Sequence, residues 1–343
     1  MNTPAASAAL LRDAADRAGV RATERLAQVR AVLAEDMAVV DRELARWARD
    51  GVSPATDSAI HLLEAGGKRV RPLTVLLSAA CFGTPPAAAR DLAVVAELIH
   101  LATLLHDDVI DDAHERRAQP TPRCIWGNAV SVLAGDLLLT HALERTAGAA
   151  PHFVLTDLFA TLRRLVDGEV VQLRGRVHID VSEEMYFRIV HDKTASLFAW
   201  AARSGAAVAG ASMAQAAALG EFGARLGVAF QLVDDLLDYT GEAGATGKAL
   251  LCDLAEGKLT LPLIRAIAER PSLMSDVEAI RAGDAQIASR VADAVRGSGV
   301  CNGVRDLAHA ETLRALAALD TAPPGVAREL LGAIARELVS RVA

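Results

Sequence analysis

Residues 97–117 read ELIHLATLLHDDVIDDAHERR, an apolar helical stretch broken by Asp107, Asp108 and Asp111. At 3.6 residues per turn, Asp107 and Asp111 stand one turn apart on the same face. Two carboxylates so placed repel each other. The pattern returns more than a third of the chain later at 227–241, GVAFQLVDDLLDYTG, where Asp234, Asp235 and Asp238 repeat the spacing inside Leu and Val. Neither cluster carries cations of its own at i±4. Carboxylates near an apolar interior cost several kcal/mol unless something positive compensates them. Oxygen-only ligands suit a hard divalent ion, and Mg²⁺ commonly takes one or two carboxylates plus the phosphates of a substrate. A single such cluster reads equally well as a solvated acidic face; two allow a pair of helices to face each other across one cavity and share metal ions.

A site for phosphates also needs fixed cations. The run GGKRVRP, 66–72, supplies Lys68, Arg69 and Arg71 beside the flexible Gly66–Gly67 pair, and reads as a loop entering a helix. Arg116 and Arg117 follow Asp111 closely enough to turn toward the same acidic mouth. His100 lies about two turns before Asp107 and shares its face.

Around these motifs the chain is helix-forming throughout. Aromatics make up only 3% of the 343 residues, and Ala, Leu, Val, Arg and Glu dominate, so the expected class is all-α. Periodic apolar positions such as Leu92, Val95, Ala96, Ile99 and Thr103 recur between short breaks. The breaks fall at Gly83–Pro86, Gln119–Pro122, Gly148–Pro151, Gly241–Gly247, Gly297–Gly299 and Ala322–Pro324. No long low-complexity linker divides the chain and no 20-to-50-residue repeat appears, so one domain over 1–343 is expected, with 1–20 as a flexible N-terminal extension.

The net charge of −7 argues against a nucleic-acid partner. Four scattered cysteines with no CxxC pair fit a reduced, cytoplasmic compartment and argue against zinc. Arg12, Asp13, Asp16 and Arg17 interrupt any export signal. The apolar run Ser204–Gly220 is poor in large side chains, and is expected to be a tightly packed helix of a soluble protein, with no transmembrane segment.

Taken in order, GGKRVRP, the two aspartate-rich regions, GEVVQL (168–173), HDKTASLF (191–198) and EGKLTLP (256–262) resemble the trans-isoprenyl diphosphate synthase, or polyprenyl synthetase, family from about Ala59 to Leu263. The resemblance implies an isoprenoid-synthase helical bundle around a central cavity and a homodimer. It also implies a prenyltransferase that adds isopentenyl diphosphate to an allylic diphosphate. Carried onto this chain, it gives Asp107, Asp108, Asp111 and Asp234 the holding of about three Mg²⁺ ions, with Asp235 and Asp238 in support. Lys68, Arg71, His100 and Arg117 would bind isopentenyl diphosphate; Arg116, Lys193, Lys248 and Lys258 would touch the allylic diphosphate. Thr194 and Gln231 match the polar pair that lines the reacting carbons, and Gln172 holds a similar place in GEVVQL, where helix–helix hydrogen bonding is the competing reading.

Two positions depart from the family pattern. Ala118 follows the arginine pair where Gly is usual, and Leu251 replaces a glycine in GKALLCD, which retains Lys248 and Asp253. In the resembling family a bulky residue four or five positions before the first Asp floors the product tunnel. Here those positions hold Thr103 and Ala102, roughly 6 to 7.5 Å below the diphosphate. Small side chains there imply a deep tunnel and a long product of about seven to ten isoprene units, as in synthases that make quinone tails. Closure by Leu138, His141 or Leu165 would instead give a farnesyl- or geranylgeranyl-length product. A class I terpene cyclase and a non-catalytic synthase subunit are the competing functions; a cyclase has no use for GGKRVRP.

Overall fold

The computed structural model describes residues 32–177, 181–240, 252–255, 258–281 and 284–340. The N-terminal stretch, Lys248, Leu251 and the break at Gly241–Gly247 lie outside them. Helices follow one another almost without interruption: α1 (Ala34–Ala48), α2 (Ala55–Glu64), α3 (Val70–Ala80) and α4 (Ala87–Ile110), the last carrying the first aspartates at its C-terminal end. The expected loop before α3 is present. The break at 119–122 holds more than a connection, because Glu115–Arg116 (β1) pairs antiparallel with Gln119–Pro120 (β2). Its two-residue turn, Arg117 and Ala118, has φ values of 55° and 59°, the left-handed backbone that a tight hairpin demands and that normally selects Gly or Asn.

After a short α5 (Pro122–Trp126) come α6 (Asn128–Ala149), α7 (His152–Val177) and α8 (Glu183–Ile189). The helix after α8 widens into a π-helical segment, Val190–Ala195, before resuming as α9 (Ser196–Val208). Such segments are rare and favour functional sites. Next is α10 (Met213–Thr240), then α11 (Cys252–Ala255), α12 (Leu261–Glu269), α13 (Leu273–Arg281), α14 (Ala288–Ser298), α15 (Val300–Ala318) and α16 (Val326–Ser340).

The run Ser204–Gly220 is not one helix. It breaks at Gly210, whose φ of +88° ends α9 with Ala211 N–H donating to Ala206 O. A capping box then starts α10: Gln215 N–H donates to Ser212 Oγ, and Ser212 N–H donates to Gln215 Oε1. Of the described helices, α10 alone is long and apolar enough to cross a membrane, and most of its apolar window is buried within the protein. Cys81, Cys124 and Cys301 are free thiols.

Burial gathers the apolar side chains into two cores. The larger joins α1–α4, α6, α7, α9, the first half of α10 and most of the buried face of α16; the smaller joins α8, the π-helical segment, the second half of α10 and α11–α15. The frontier runs through α10: Leu226 belongs to the first core and Val228 to the second. At Gly227 between them, an added Cβ would lie 2.6 Å from Ala195 Cα of the π-helical segment. From the other side α7 approaches the same segment through Gly168, where a Cβ would lie 2.8 Å from Lys193 N. Only hydrogen in place of a side chain permits either approach.

Candidate active site

A cavity of about 530 Å³ opens where the two cores meet, lined from α4, α7, the π-helical segment and α10, with Arg71, Arg116, Asp253 and Lys258 at its edges. Asp107 and Asp111 reach it from α4, and Asp234 and Asp235 from α10, so the two acidic motifs share one space. Asp108 and Asp238 are buried and stand behind that lining.

The first motif is met by cations from other elements. Lys193 Nζ lies 3.6 Å from Asp107 and also pairs with Glu169 of α7. Lys258 Nζ donates to Asp111 Oδ2 at 2.9 Å. Arg116, on β1, places Nε and Nη2 each 2.8 Å from Asp108 Oδ1, leaving Asp108 Oδ2 buried without a hydrogen bond. Burial, with Glu169 and Asp111 nearby, still pushes Asp107 up to about 6 against the pull of Lys193. Asp235 of the second motif is held by neutral donors. Tyr186 Oη donates to Asp235 Oδ2 at 2.6 Å and Gln231 Nε2 donates to Oδ1 at 2.8 Å. Gln231 Oε1 in turn accepts from Thr194 Oγ1 at 2.9 Å. Burial first, and then Asp253, push Asp235 up to about 7.

A cationic corner adjoins the first motif. His100 and Arg71 line the cavity there, and Arg71 stacks 4.6 Å from the Phe198 ring centroid. Burial lowers Arg71 to about 10. Burial and the surrounding Arg71, Arg117, Arg116 and Arg69 hold His100 well below the usual imidazole range, so it is neutral. Arg69 is turned away to Glu97, which its Nη1 meets at 2.8 Å. The corner therefore gathers positive charge around a neutral hydrogen-bonding imidazole, an arrangement suited to an oxyanion.

Thr103, Gln172 and Lys258 also line the cavity, and the buried Gln172 Nε2 makes no hydrogen bond. Lys68 and Arg117 lie outside the lining, Arg117 beside the cationic corner. Lys68 is exposed, and Arg117 turns from the acidic mouth to pack its guanidinium 3.2 Å from where a Gly67 Cβ would be. Ala102, Leu138 and His141 are buried outside the lining, whereas Leu165 is part of it. Sequence reasoning missed Glu169 and Tyr186. Glu169 stands inside the quoted GEVVQL, beside the glycine that brings it to Lys193, and was findable; nothing at Tyr186 advertised a distant aspartate partner.

Among the described residues no group of three or more His, Cys, Asp or Glu side chains could cage a metal ion unaided. Crowded carboxylate oxygens, one of them orphaned and buried at Asp108, fit a hard divalent cation that draws its remaining ligands from a bound diphosphate.

An all-α bundle that closes two aspartate-rich helices over one cavity, beside a separate cationic corner, is the isoprenoid-synthase architecture. Residues 53–296 match the polyprenyl synthetase family, and the chain belongs to that family. It is 36% identical over 315 residues to an all-trans-nonaprenyl-diphosphate synthase (geranyl-diphosphate specific) of Rhodobacter capsulatus, covering 91% of this chain and 97% of that one. It is 34% identical over 319 residues to the octaprenyl diphosphate synthase of Escherichia coli K12, covering 92% and 99%. A polyprenyl synthase from Caulobacter crescentus CB15, solved with calcium and isoprenyl diphosphate, superposes with a TM-score of 0.87 at 38% identity, covering 93% of this chain and 98% of that one.

Proposed function

We propose that this chain is a magnesium-dependent trans-prenyltransferase that extends an allylic diphosphate with isopentenyl diphosphate to a long all-trans polyprenyl diphosphate. The observation that carries the reading is the pairing of one shared acidic cavity with a cationic corner, which gives two diphosphates two different homes. A cyclase, handling one diphosphate, has no need of Arg71 and His100 where they stand.

Asp107, Asp111 and Asp234 would hold the metal ions, with Asp108, Asp235 and Asp238 behind them. When bound, Mg²⁺ neutralises the diphosphate as it leaves its allylic carbon. Lys193, Lys258 and Arg116 bring further positive charge to the same leaving group. Arg71 and His100 fix isopentenyl diphosphate so that its double bond meets the cation left behind. Thr194 and Gln231 line that space with oxygen. The departing diphosphate takes the proton whose loss restores the alkene.

Long products are supported by Thr103 and Ala102, neither of them bulky, and by relatives named for eight and nine isoprene units. We read the chain as one domain, because α10 contributes to both cores, and as a homodimer, for which Leu133, Phe153, Phe159 and Val166 leave exposed apolar area on α6 and α7. The test is incubation of pure protein with Mg²⁺, isopentenyl diphosphate and each short allylic starter, followed by measuring the lengths of the dephosphorylated products. Elongation to about seven to ten units is expected, and Thr103→Phe, at a residue that lines the cavity roughly 6 Å below the diphosphate, should shorten them. Hydrocarbon formed from the allylic diphosphate alone would identify a cyclase instead.

A further inference from the structure

Four side chains from three adjoining segments form a directed hydrogen-bond relay that ends at the cavity. Tyr186 (α8) donates to Asp235 (α10), Gln231 donates its amide to the same carboxylate, and Thr194 (π-helical segment) donates to the Gln231 carbonyl. Each direction constrains the next. The amide turns Nε2 to Asp235 Oδ1 and leaves Oε1 facing Thr194. The single Thr194 hydroxyl hydrogen is then spent on Oε1. What Thr194 offers the cavity is its oxygen lone pairs, the negative end of the hydroxyl dipole.

Without that anchor the amide can rotate by half a turn and present Nε2 to Thr194. The hydroxyl hydrogen would be released toward the cavity, its positive end facing the place where an allylic carbon becomes cationic. The polarity of the Thr194–Gln231 pair is thus decided one residue further back, at the carboxylate and the phenol that holds it. Tyr186 and Asp235 are buried at the cavity wall.

The geometry assigns Tyr186 a role as a positioning residue: through Asp235 and Gln231 it fixes the Thr194 oxygen toward the carbocation formed when the allylic diphosphate leaves. This rests on the prenyltransferase reading above and deepens it. Asp235 accordingly serves orientation with both its oxygens, while Asp234 beside it lines the cavity and would hold metal.

The experiment compares Tyr186→Phe, Thr194→Val and the double variant at pH 8. Tyr186→Phe should lower kcat about tenfold, the scale of one charge-assisted hydrogen bond, with KM for both diphosphates within about twofold. Calorimetric binding of Mg²⁺ with inorganic diphosphate should be unchanged. In the Thr194→Val background, which has no hydroxyl to orient, the same substitution should add less than about twofold. Full, independent losses in the double variant would overturn the assignment. So would a fall in Mg²⁺–diphosphate affinity in step with kcat, because Tyr186 would then be supporting a metal ligand. A wild-type protein that releases no diphosphate from isopentenyl and allylic substrates together would remove the parent reading and this one with it.

Discussion

The two aspartate motifs have the same spelling and different company. On α4, at the margin of the larger core, Asp107, Asp108 and Asp111 meet Lys193, Arg116 and Lys258, two of them brought from distant parts of the chain and Arg116 from the adjoining hairpin. On α10, inside the smaller core, Asp235 is met by a phenol and an amide. The difference teaches that spacing along a helix specifies where carboxylates point, whereas the partner element specifies what they can do. Cation-paired carboxylates are poised for a diphosphate and its metal ions; a carboxylate held by neutral donors becomes a fixed reference for its neighbours.

The comparison breaks first on catalysis. Asp107→Ala and Asp234→Ala should each reduce turnover by orders of magnitude while circular-dichroism melting stays cooperative. If either variant retained near-normal activity, the two motifs would not share a metal site. It is sharpened next on stability. Asp108→Asn removes the partner of Arg116 in a largely buried place and should cost about 2 kcal/mol in urea unfolding, reduced from the fully buried figure because Arg116 is partly exposed. The β1–β2 turn beside that pair offers the opposite sign: Ala118→Gly relieves left-handed strain and should stabilise by about 1 kcal/mol.

The smallest effect lies in the pH dependence of the second motif. Burial raises the folded pKa of Asp235 to about 7, above its ordinary value near 4. Between those values the folded protein holds a proton that the unfolded chain has released. That contribution to stability is complete below about pH 4 and is lost as pH rises to about 7. In chelator-treated protein, Asp235→Asn should therefore flatten the decline of melting temperature over this range. An unaltered slope would mean that Asp235 does not titrate there.

Much of this was legible before any coordinate. The helical class followed from composition, the loop before α3 from Gly66–Gly67, and the shared cavity from a repeated spacing that only facing helices can reconcile. What stayed hidden depended on tertiary contact. The end of α9 was written at Gly210 and the start of α10 at Ser212 and Gln215, yet an uninterrupted apolar run concealed both. Arg117 carries the same charge as Arg116, and one hairpin turn sends it the other way. Tyr186 was unreadable because its meaning lies with Asp235, 49 residues further on.

The widened turn between α8 and α9 is gripped from both sides by glycines, Gly168 on α7 and Gly227 on α10. An alanine at either place would suit its own helix better, by roughly 1 kcal/mol of intrinsic preference. It would also drive a methyl group into the backbone at Lys193 or Ala195 and wedge the reacting groups apart. The clash with fixed backbone, commonly about 1–3 kcal/mol for an overpacked site, outweighs that preference, so sturdiness and turnover both keep these two residues glycine. A variant library screened only for heat resistance would be expected to retain glycine at both places.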